Sequence, residues 1–212
     1  ETNGRKILLA VSGGVDSMLL LYLTSYYSLP VSVAHFQHLM REDDYKDCDL
    51  VREFCDNAEI PFYHGKAVTD LKNENDARIA RWEFLENIAD RTGAGFIATG
   101  HHHNDQIENF ILRMMRGADA ESLMMYPKSE INGIVRYKPF LAVPKNEIIG
   151  YARKHGVNFN HEITNDEKKH DRNWIRNVIL PDRQKRLNVM KAIPKTINSI
   201  HKLASDTKKA PE

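Results

Sequence analysis

The chain has 212 residues, of which 42% are hydrophobic and 28% charged, a balance that suits a globular domain with a buried core. It contains neither a run of about 18 apolar residues nor the pattern of a signal peptide, so we expect a cytoplasmic protein with no membrane partner. A net charge of +1 excludes a polycation. Basic residues nevertheless outnumber acidic ones from Lys168 onward, which is typical either of a surface for a polyanion or of a solvated tail.

Short apolar runs alternate with helical patterns along most of the chain. The predicted strands are 6–11, 31–36, 61–64, 96–100 and 134–137. The predicted helices are 17–27, 43–58, 75–91, 104–116 and 144–155. This alternation predicts an α/β fold with a doubly wound parallel sheet. We expect one catalytic domain over 1–181, followed by a short basic helical segment and tail over 182–212.

The two cysteines, Cys48 and Cys55, lie on one predicted helix. Their spacing corresponds to about 10 Å along a helix, which is too far for a disulfide. They form no metal-binding motif either. We interpret them as ordinary thiols of a protein in a reducing compartment.

The strongest local signal is the run Ser12-Gly13-Gly14-Val15-Asp16-Ser17, between the first strand and the first helix. Two glycines allow backbone conformations that other residues avoid and a close approach to a ligand. Main-chain amides, two hydroxyls and the positive end of the helix would then face an anion, which predicts a phosphate site. A simple tight turn, with Asp16 as an ordinary helix-start residue, is the alternative. The run is neither GxxxxGK[ST] nor GxGxxG.

This run resembles the signature loop of the N-type ATP pyrophosphatases, which have an adenine nucleotide alpha hydrolase-like fold and cut ATP to AMP and pyrophosphate. The resemblance implies that ATP is a cofactor, that all six residues bind it, and that Asp16 helps to hold Mg²⁺. Four further stretches resemble the tRNA(Ile)-lysidine synthetases, in the same order along the chain.

The first two of these stretches carry histidines and arginines. His35-Phe36-Gln37-His38 resembles the family's HxxH, which implies nucleotide binding by His35 and His38, although Leu39 departs from the family pattern. A buried, hydrogen-bonded His35 is the alternative. Residues 77–84 resemble ARxxRYxxF, which implies that Arg78 and Arg81 bind phosphate or RNA. Helix ion pairs of these arginines with neighbouring glutamates are the alternative.

The third stretch, residues 100–109, resembles HxxDDQxET and continues to two arginines. Asp105 and Glu108 lie three residues apart at a helix start, so their carboxylates point the same way and suit a cation such as the lysine ammonium group. The adjacent histidines leave a metal site as an alternative. Asn104 and Asn109 depart from the family pattern. The roles that the resemblance implies here are nucleotide binding by Gly100, catalysis by His102, Asp105 and Glu108, and substrate binding by Asp105, Glu108, Arg113 and Arg116.

The fourth stretch runs from Glu162 to Pro181 and resembles DxSN…RNx[IL]R…P. It implies a catalytic Arg172 and substrate binding by Asn173 and Arg176. The whole resemblance implies a ligase that joins L-lysine to the wobble cytidine of tRNA(Ile) with a CAU anticodon, and it leaves the oligomeric state open, a homodimer included. A PP-loop tRNA thiolase and a non-catalytic nucleotide- or RNA-binding module are the alternatives.

Overall fold

A computed structural model describes residues 5–37, 44–67, 74–119 and 122–160, with isolated positions at 175, 192–193, 195–196 and 199. The chain divides into two compact units. The first comprises Glu1–His102 with Pro127–Glu162, and the second comprises His103–Tyr126 with Ile163–Glu212. The boundary predicted after residue 181 lies outside the described residues and stays a prediction.

The first unit is built on a six-stranded sheet with the order β3-β2-β1-β4-β6-β5. Its strands are β1 Lys6–Ala10, β2 Val31–Gln37, β3 Phe62–Lys66, β4 Ala94–Thr99, β5 Lys128–Ile131 and β6 Ile134–Tyr137. All neighbouring strands are parallel except β5 and β6. Because β2 lies on one side of β1 and β4 on the other, the direction of winding reverses between β1 and β4. A crevice at the carboxyl ends of these two strands is where such sheets bind ligands.

Helices cover both faces of this sheet, and the predicted doubly wound fold is confirmed. The helices of the first unit are α1 Val15–Tyr26, α2 Asp44–Asn57, α3 Glu74–Thr92 and α5 Lys145–Lys154. Successive strand residues point to opposite faces. Leu9 and Val33 therefore pack with residues of α1, α2 and α5, whereas Leu8 and Ala34 pack against α3. The second unit contains α4, His103–Met115.

The five helices predicted between residues 17 and 155 are present within two residues at each end, whereas most of the helical segment predicted over 182–212 lies outside the described residues. The strand β5 is missing from the prediction. Lys128–Ile131 is a mostly exposed edge strand that carries no apolar run. It forms an antiparallel hairpin with β6 through Asn132 and Gly133, both of which have positive φ. Asn-Gly is the strongest short hairpin signal, because a tight two-residue turn requires positive φ at both positions.

Candidate active site

The loop 12–17 lies at the carboxyl end of β1 and leads into α1. The main-chain amide of Ser12 donates to Ser17 Oγ at 3.1 Å, and the two serine hydroxyls are also 3.1 Å apart. The Ser17 hydroxyl donates to the Gly14 carbonyl at 3.0 Å. Ser17 is thus a buried internal brace of the loop, whereas Ser12 is exposed.

Only one of the two glycines needs its conformational freedom. Gly13 has φ +93°, and a Cβ there would lie 2.9 Å from the Cβ of Asp47. Gly14 has φ −74° and ψ 161°, an extended conformation open to any residue. The expectation that both glycines adopt special conformations is therefore wrong for Gly14, whose position as the N-cap of α1 requires only extended backbone.

Two residues from distant parts of the chain hold Gly13 in place. The main-chain N–H of Asn160 donates to the Gly13 carbonyl at 3.1 Å. The Asn160 side chain donates to Asp47 Oδ1 at 2.8 Å. The loop is therefore held in place by α2 and by the segment after α5. Sequence reasoning missed both partners, because nothing in the local sequence links residues 13, 47 and 160.

Gly100, which directly follows β4, approaches the start of α1 closely. A Cβ at this position would lie 3.0 Å from both the Asp16 carbonyl carbon and the Ser17 main-chain nitrogen. These are backbone atoms, so a side chain at residue 100 would have to push the loop itself. This contact gives the predicted site residue Gly100 a role in holding the loop against β4.

We predict that Gly100→Ala displaces the start of α1 and lowers the free energy of unfolding by about 1–3 kcal/mol, as overpacking does. Nucleotide affinity should fall with it. Gly150→Ala is the matched control, because Gly150 lies in α5 with open space around it, and it should raise stability by about 0.5–1 kcal/mol. Chemical denaturation of both variants is the measurement. Equal stability of Gly100→Ala and the unsubstituted protein would contradict the close approach.

Asp16 lies in the first turn of α1 and meets two side chains of the first unit. Its Oδ2 accepts a hydrogen bond from Lys145 Nζ at 2.5 Å, and its Oδ1 lies 3.6 Å from His102 Nε2. Oδ1 is buried and has no hydrogen-bond partner among the described residues. Magnesium sites in nucleotide enzymes commonly combine one or two protein carboxylates with substrate phosphates. A buried carboxylate oxygen without a described hydrogen-bond partner, next to the loop 12–17, fits such an ion.

The adjacent histidines give no sign of a multi-ligand metal site. In the described part of the chain, no group of three or more His, Cys, Asp or Glu side chains could hold a metal ion. The His101 ring contacts Thr99 Oγ1 at 2.7 Å, and His102 is buried beside Asp16.

His35 is buried at the end of β2, and its Nδ1–H donates to the Val11 carbonyl at 2.9 Å. The acceptor is a carbonyl oxygen, so Nδ1 must carry the hydrogen. His35 thereby fixes the residue just before the loop, which is the buried, hydrogen-bonded arrangement of the alternative interpretation, and nucleotide binding by His35 stays a prediction. Its predicted partner His38 lies outside the described residues.

Asp105 and Glu108 belong to α4 in the second unit. Asp105 is half-buried in the first turn, and Glu108 is 2% exposed. Next to them, the Gln106 side chain makes two hydrogen bonds with the main chain of Met125, and Asn109 donates to the Leu123 carbonyl at 3.4 Å. The departure at Asn109 thus has a structural use, since its amide helps to hold the segment after α4.

The predicted arginines are only partly described. Arg78 is exposed and donates to Asn75 Oδ1 at 3.0 Å, and Arg81 is half-buried on the same helix. In the second unit Arg113 donates to the Ser122 carbonyl, and Arg116 is exposed. The remaining predicted site residues lie outside the described residues; these are Arg172, Asn173 and Arg176.

Both cysteines are free and buried in α2, as predicted. Burial raises the pKa of the Cys55 thiol to about 12 and also raises the pKa of Cys48. A thiolate nucleophile requires the opposite shift. Neither thiol is therefore suited to covalent sulfur transfer.

Comparison with known sequences identifies one matching domain type. The chain matches the PP-loop domain family over residues 1–183.

No helix among the described residues is long and apolar enough to cross a membrane.

Two relatives are similar to this chain in sequence, and one solved structure is similar to it in fold. The bifunctional protein TilS/HprT of Listeria monocytogenes is 35% identical over 83% of this chain and 29% of its own length. The tRNA(Ile)-lysidine synthase of Thermotoga maritima is 34% identical over 96% of this chain and 50% of its own. The chain thus spans half or less of the length of these two relatives. The U34-tRNA thiolase NcsA from Methanococcus maripaludis has a similar fold, with a TM-score of 0.75 at 16% identity over 94% of this chain and 72% of its own.

Proposed function

Since this chain belongs to the PP-loop domain family, we propose that it cleaves ATP to AMP and pyrophosphate to activate the wobble cytidine of tRNA(Ile) with a CAU anticodon, and joins L-lysine to C2 of that base. It would then have the activity of a tRNA(Ile)-lysidine synthetase. The similarity to the relative of that name in Thermotoga maritima over 96% of this chain supports the proposal.

The observation that carries the proposal is the environment of Asp16. One carboxylate oxygen is paired with Lys145, and the other is buried with no hydrogen-bond partner among the described residues. The loop beside it offers main-chain amides at a helix start, which suits a triphosphate. Asp16 would hold Mg²⁺, which would neutralise phosphate charge when bound.

The first proposed step adenylates the base. The cytidine O2 attacks the α-phosphorus, a bond from O2 to phosphorus forms, and the bond from that phosphorus to the β-phosphate oxygen breaks. Pyrophosphate leaves with the electron pair. Gly100 and the loop hold the phosphates in position, and phosphoryl transfer depends chiefly on such positioning and on charge neutralisation. His102 is proposed to act in catalysis through its place beside Asp16.

The second proposed step transfers lysine. The ε-ammonium group loses a proton, its nitrogen attacks C2, the C2–O2 bond breaks, and AMP leaves carrying O2. Asp105 and Glu108 are proposed to bind this group. A carboxylate as buried as Glu108 can hold a cation out of water and accept its proton when lysine is in place.

The proposed substrate contacts extend to the arginines. Arg78, Arg81, Arg113 and Arg116, with Asn173 and Arg176, would bind the tRNA, and Arg172 would stabilise the transferring phosphate. We also propose a cytoplasmic location, where tRNA, ATP and lysine are available. The catalytic domain is proposed to end near residue 181.

Mass analysis of the anticodon nucleosides tests the proposed function. After incubation with ATP, Mg²⁺, L-lysine and the CAU-anticodon tRNA(Ile), we expect wobble cytidine to gain one lysine with loss of water, and AMP to appear in equal amount. Omission of lysine should stop the gain. In a parallel incubation with a sulfide donor in place of lysine, sulfur incorporation into the tRNA would instead favour a thiolase.

A further inference from the structure

The phosphate loop contains no cation of its own, since residues 12–17 supply only hydroxyls, main-chain amides and one carboxylate. Cleavage of ATP at the α-phosphate releases a pyrophosphate whose negative charge must be stabilised as it leaves. In P-loop NTPases, a lysine inside the loop contacts the phosphates and offsets their charge. Here a lysine reaches the loop from a distant part of the chain.

Lys145 Nζ lies 2.5 Å from Asp16 Oδ2, although the two residues are 129 positions apart. The side chains are 29% and 17% exposed, respectively. The pair is therefore partly shielded from water, which strengthens its electrostatics. The Lys145 side chain nevertheless keeps some access to solvent.

The position of Lys145 is electrostatically unfavourable within its own helix. It is the first residue of α5, and a cation is disfavoured at the positive end of a helix. Asp16 has the opposite and favourable placement in the first turn of α1. The contact between them brings two positive helix ends together, and neither N-cap residue, Gly14 or Pro144, has a polar side chain to cap its helix.

One carboxylate thus faces a lysine, a histidine ring and two helix ends. Glu147 in the first turn of α5 offsets part of the positive potential at that helix start, and Asp16 does the same at the start of α1. A multiply charged anion at the loop could still contact Lys145 and the main-chain amides at the start of α1. If Asp16 turned to a bound cation, the ammonium group of Lys145 would be released towards that anion.

We propose that Lys145 is a phosphate-binding residue of this site, and that Asp16 is its partner only in the nucleotide-free protein. When Mg-ATP binds, the ion pair is exchanged: Lys145 contacts the phosphates that leave as pyrophosphate, and Asp16 contacts the magnesium ion. Lys145 thereby supplies the cation that the loop lacks. This inference rests on the proposed ATP site but concerns a residue that no motif of the loop predicts.

Calorimetric titration of Lys145→Met with Mg-ATP, Mg-pyrophosphate and adenosine tests the inference. Loss of a charged hydrogen bond should weaken binding of both phosphate ligands by about tenfold or more, and adenosine binding should stay within about twofold of the unsubstituted protein. Lys145→Arg should recover part of the affinity. Lys154→Met is the matched control, because it removes an exposed lysine from the other end of the same helix, and it should change none of the three.

Thermal unfolding establishes that the variants are folded, and Lys145→Gln, which can still hydrogen-bond to Asp16, replaces the methionine variant if that one is not. Unchanged pyrophosphate affinity in Lys145→Met or Lys145→Gln would overturn the inference. So would an equal loss of adenosine affinity, which would mean that Lys145 only maintains the loop. Failure of the unsubstituted protein to bind Mg-ATP would overturn the proposed function itself, and this inference with it.

Discussion

Asp16→Asn is expected to reduce AMP formation by about 10²- to 10³-fold, the loss typical when one electrostatic group of an active site is removed. The amide keeps the size of the side chain but cannot neutralise a magnesium ion. The substitution also removes the ion pair between Asp16 and Lys145. Phosphate ligands without magnesium should consequently bind at least as tightly as before, because a repelling negative charge is gone.

The informative measurement for this variant is ATP affinity with and without Mg²⁺. We expect the magnesium-dependent gain in affinity to disappear while magnesium-free binding is retained. Asp90→Asn is the control, since Asp90 is an exposed carboxylate on α3, and it should behave as the unsubstituted protein. If Asp16→Asn kept the full magnesium-dependent gain, Asp16 would have no role in holding that ion.

Glu108→Gln is expected to raise the KM for L-lysine by about 10- to 100-fold, as loss of a charged hydrogen bond does. Glu108 is almost fully buried on α4, so water cannot replace the missing charge. The KM for ATP should stay within about threefold, because the proposed phosphate contacts are made by other residues, namely the loop 12–17, Lys145 and Arg172. Steady-state kinetics with each substrate varied in turn separates the two effects.

Two further variants test the proposed lysine site. Glu83→Gln removes an exposed carboxylate from α3 and should leave both KM values unchanged. Asp105→Asn should raise the KM for lysine as well, and it should also cost about 0.3–1 kcal/mol of stability, because Asp105 lies at the positive end of α4. An unaltered lysine requirement in both Glu108→Gln and Asp105→Asn would refute the proposed lysine site.

Local sequence patterns were sufficient to predict the five described helices and the position of the loop 12–17. The periodicity of 75–91, for example, reflects burial of Leu85 and Ile88 against the sheet, and this burial determines α3. The run at 12–17 carries its own chemistry, so its position between β1 and α1 could be predicted as well. β5 lacks such a pattern because its side chains are mostly exposed, and the hairpin signal in the Asn132-Gly133 pair was overlooked.

Long-range contacts could not be predicted in the same way. Lys145 is an unremarkable helix-start residue in the sequence, and only the fold brings it to Asp16. The same holds for Asn160 and Asp47, which hold Gly13 from two separate segments. The one available hint was that a lysine at the positive end of a helix needs a compensating partner. Such a hint indicates that a partner exists but does not identify it.

A crystal structure of the protein with Mg²⁺ and α,β-methylene-ATP, whose α–β bond cannot be cleaved in this reaction, would show where the phosphates bind. We expect the triphosphate against the main-chain amides of residues 13–17, with the metal on Asp16. A nucleotide bound elsewhere, with the Asp16–Lys145 pair intact and no phosphate at the start of α1, would contradict it.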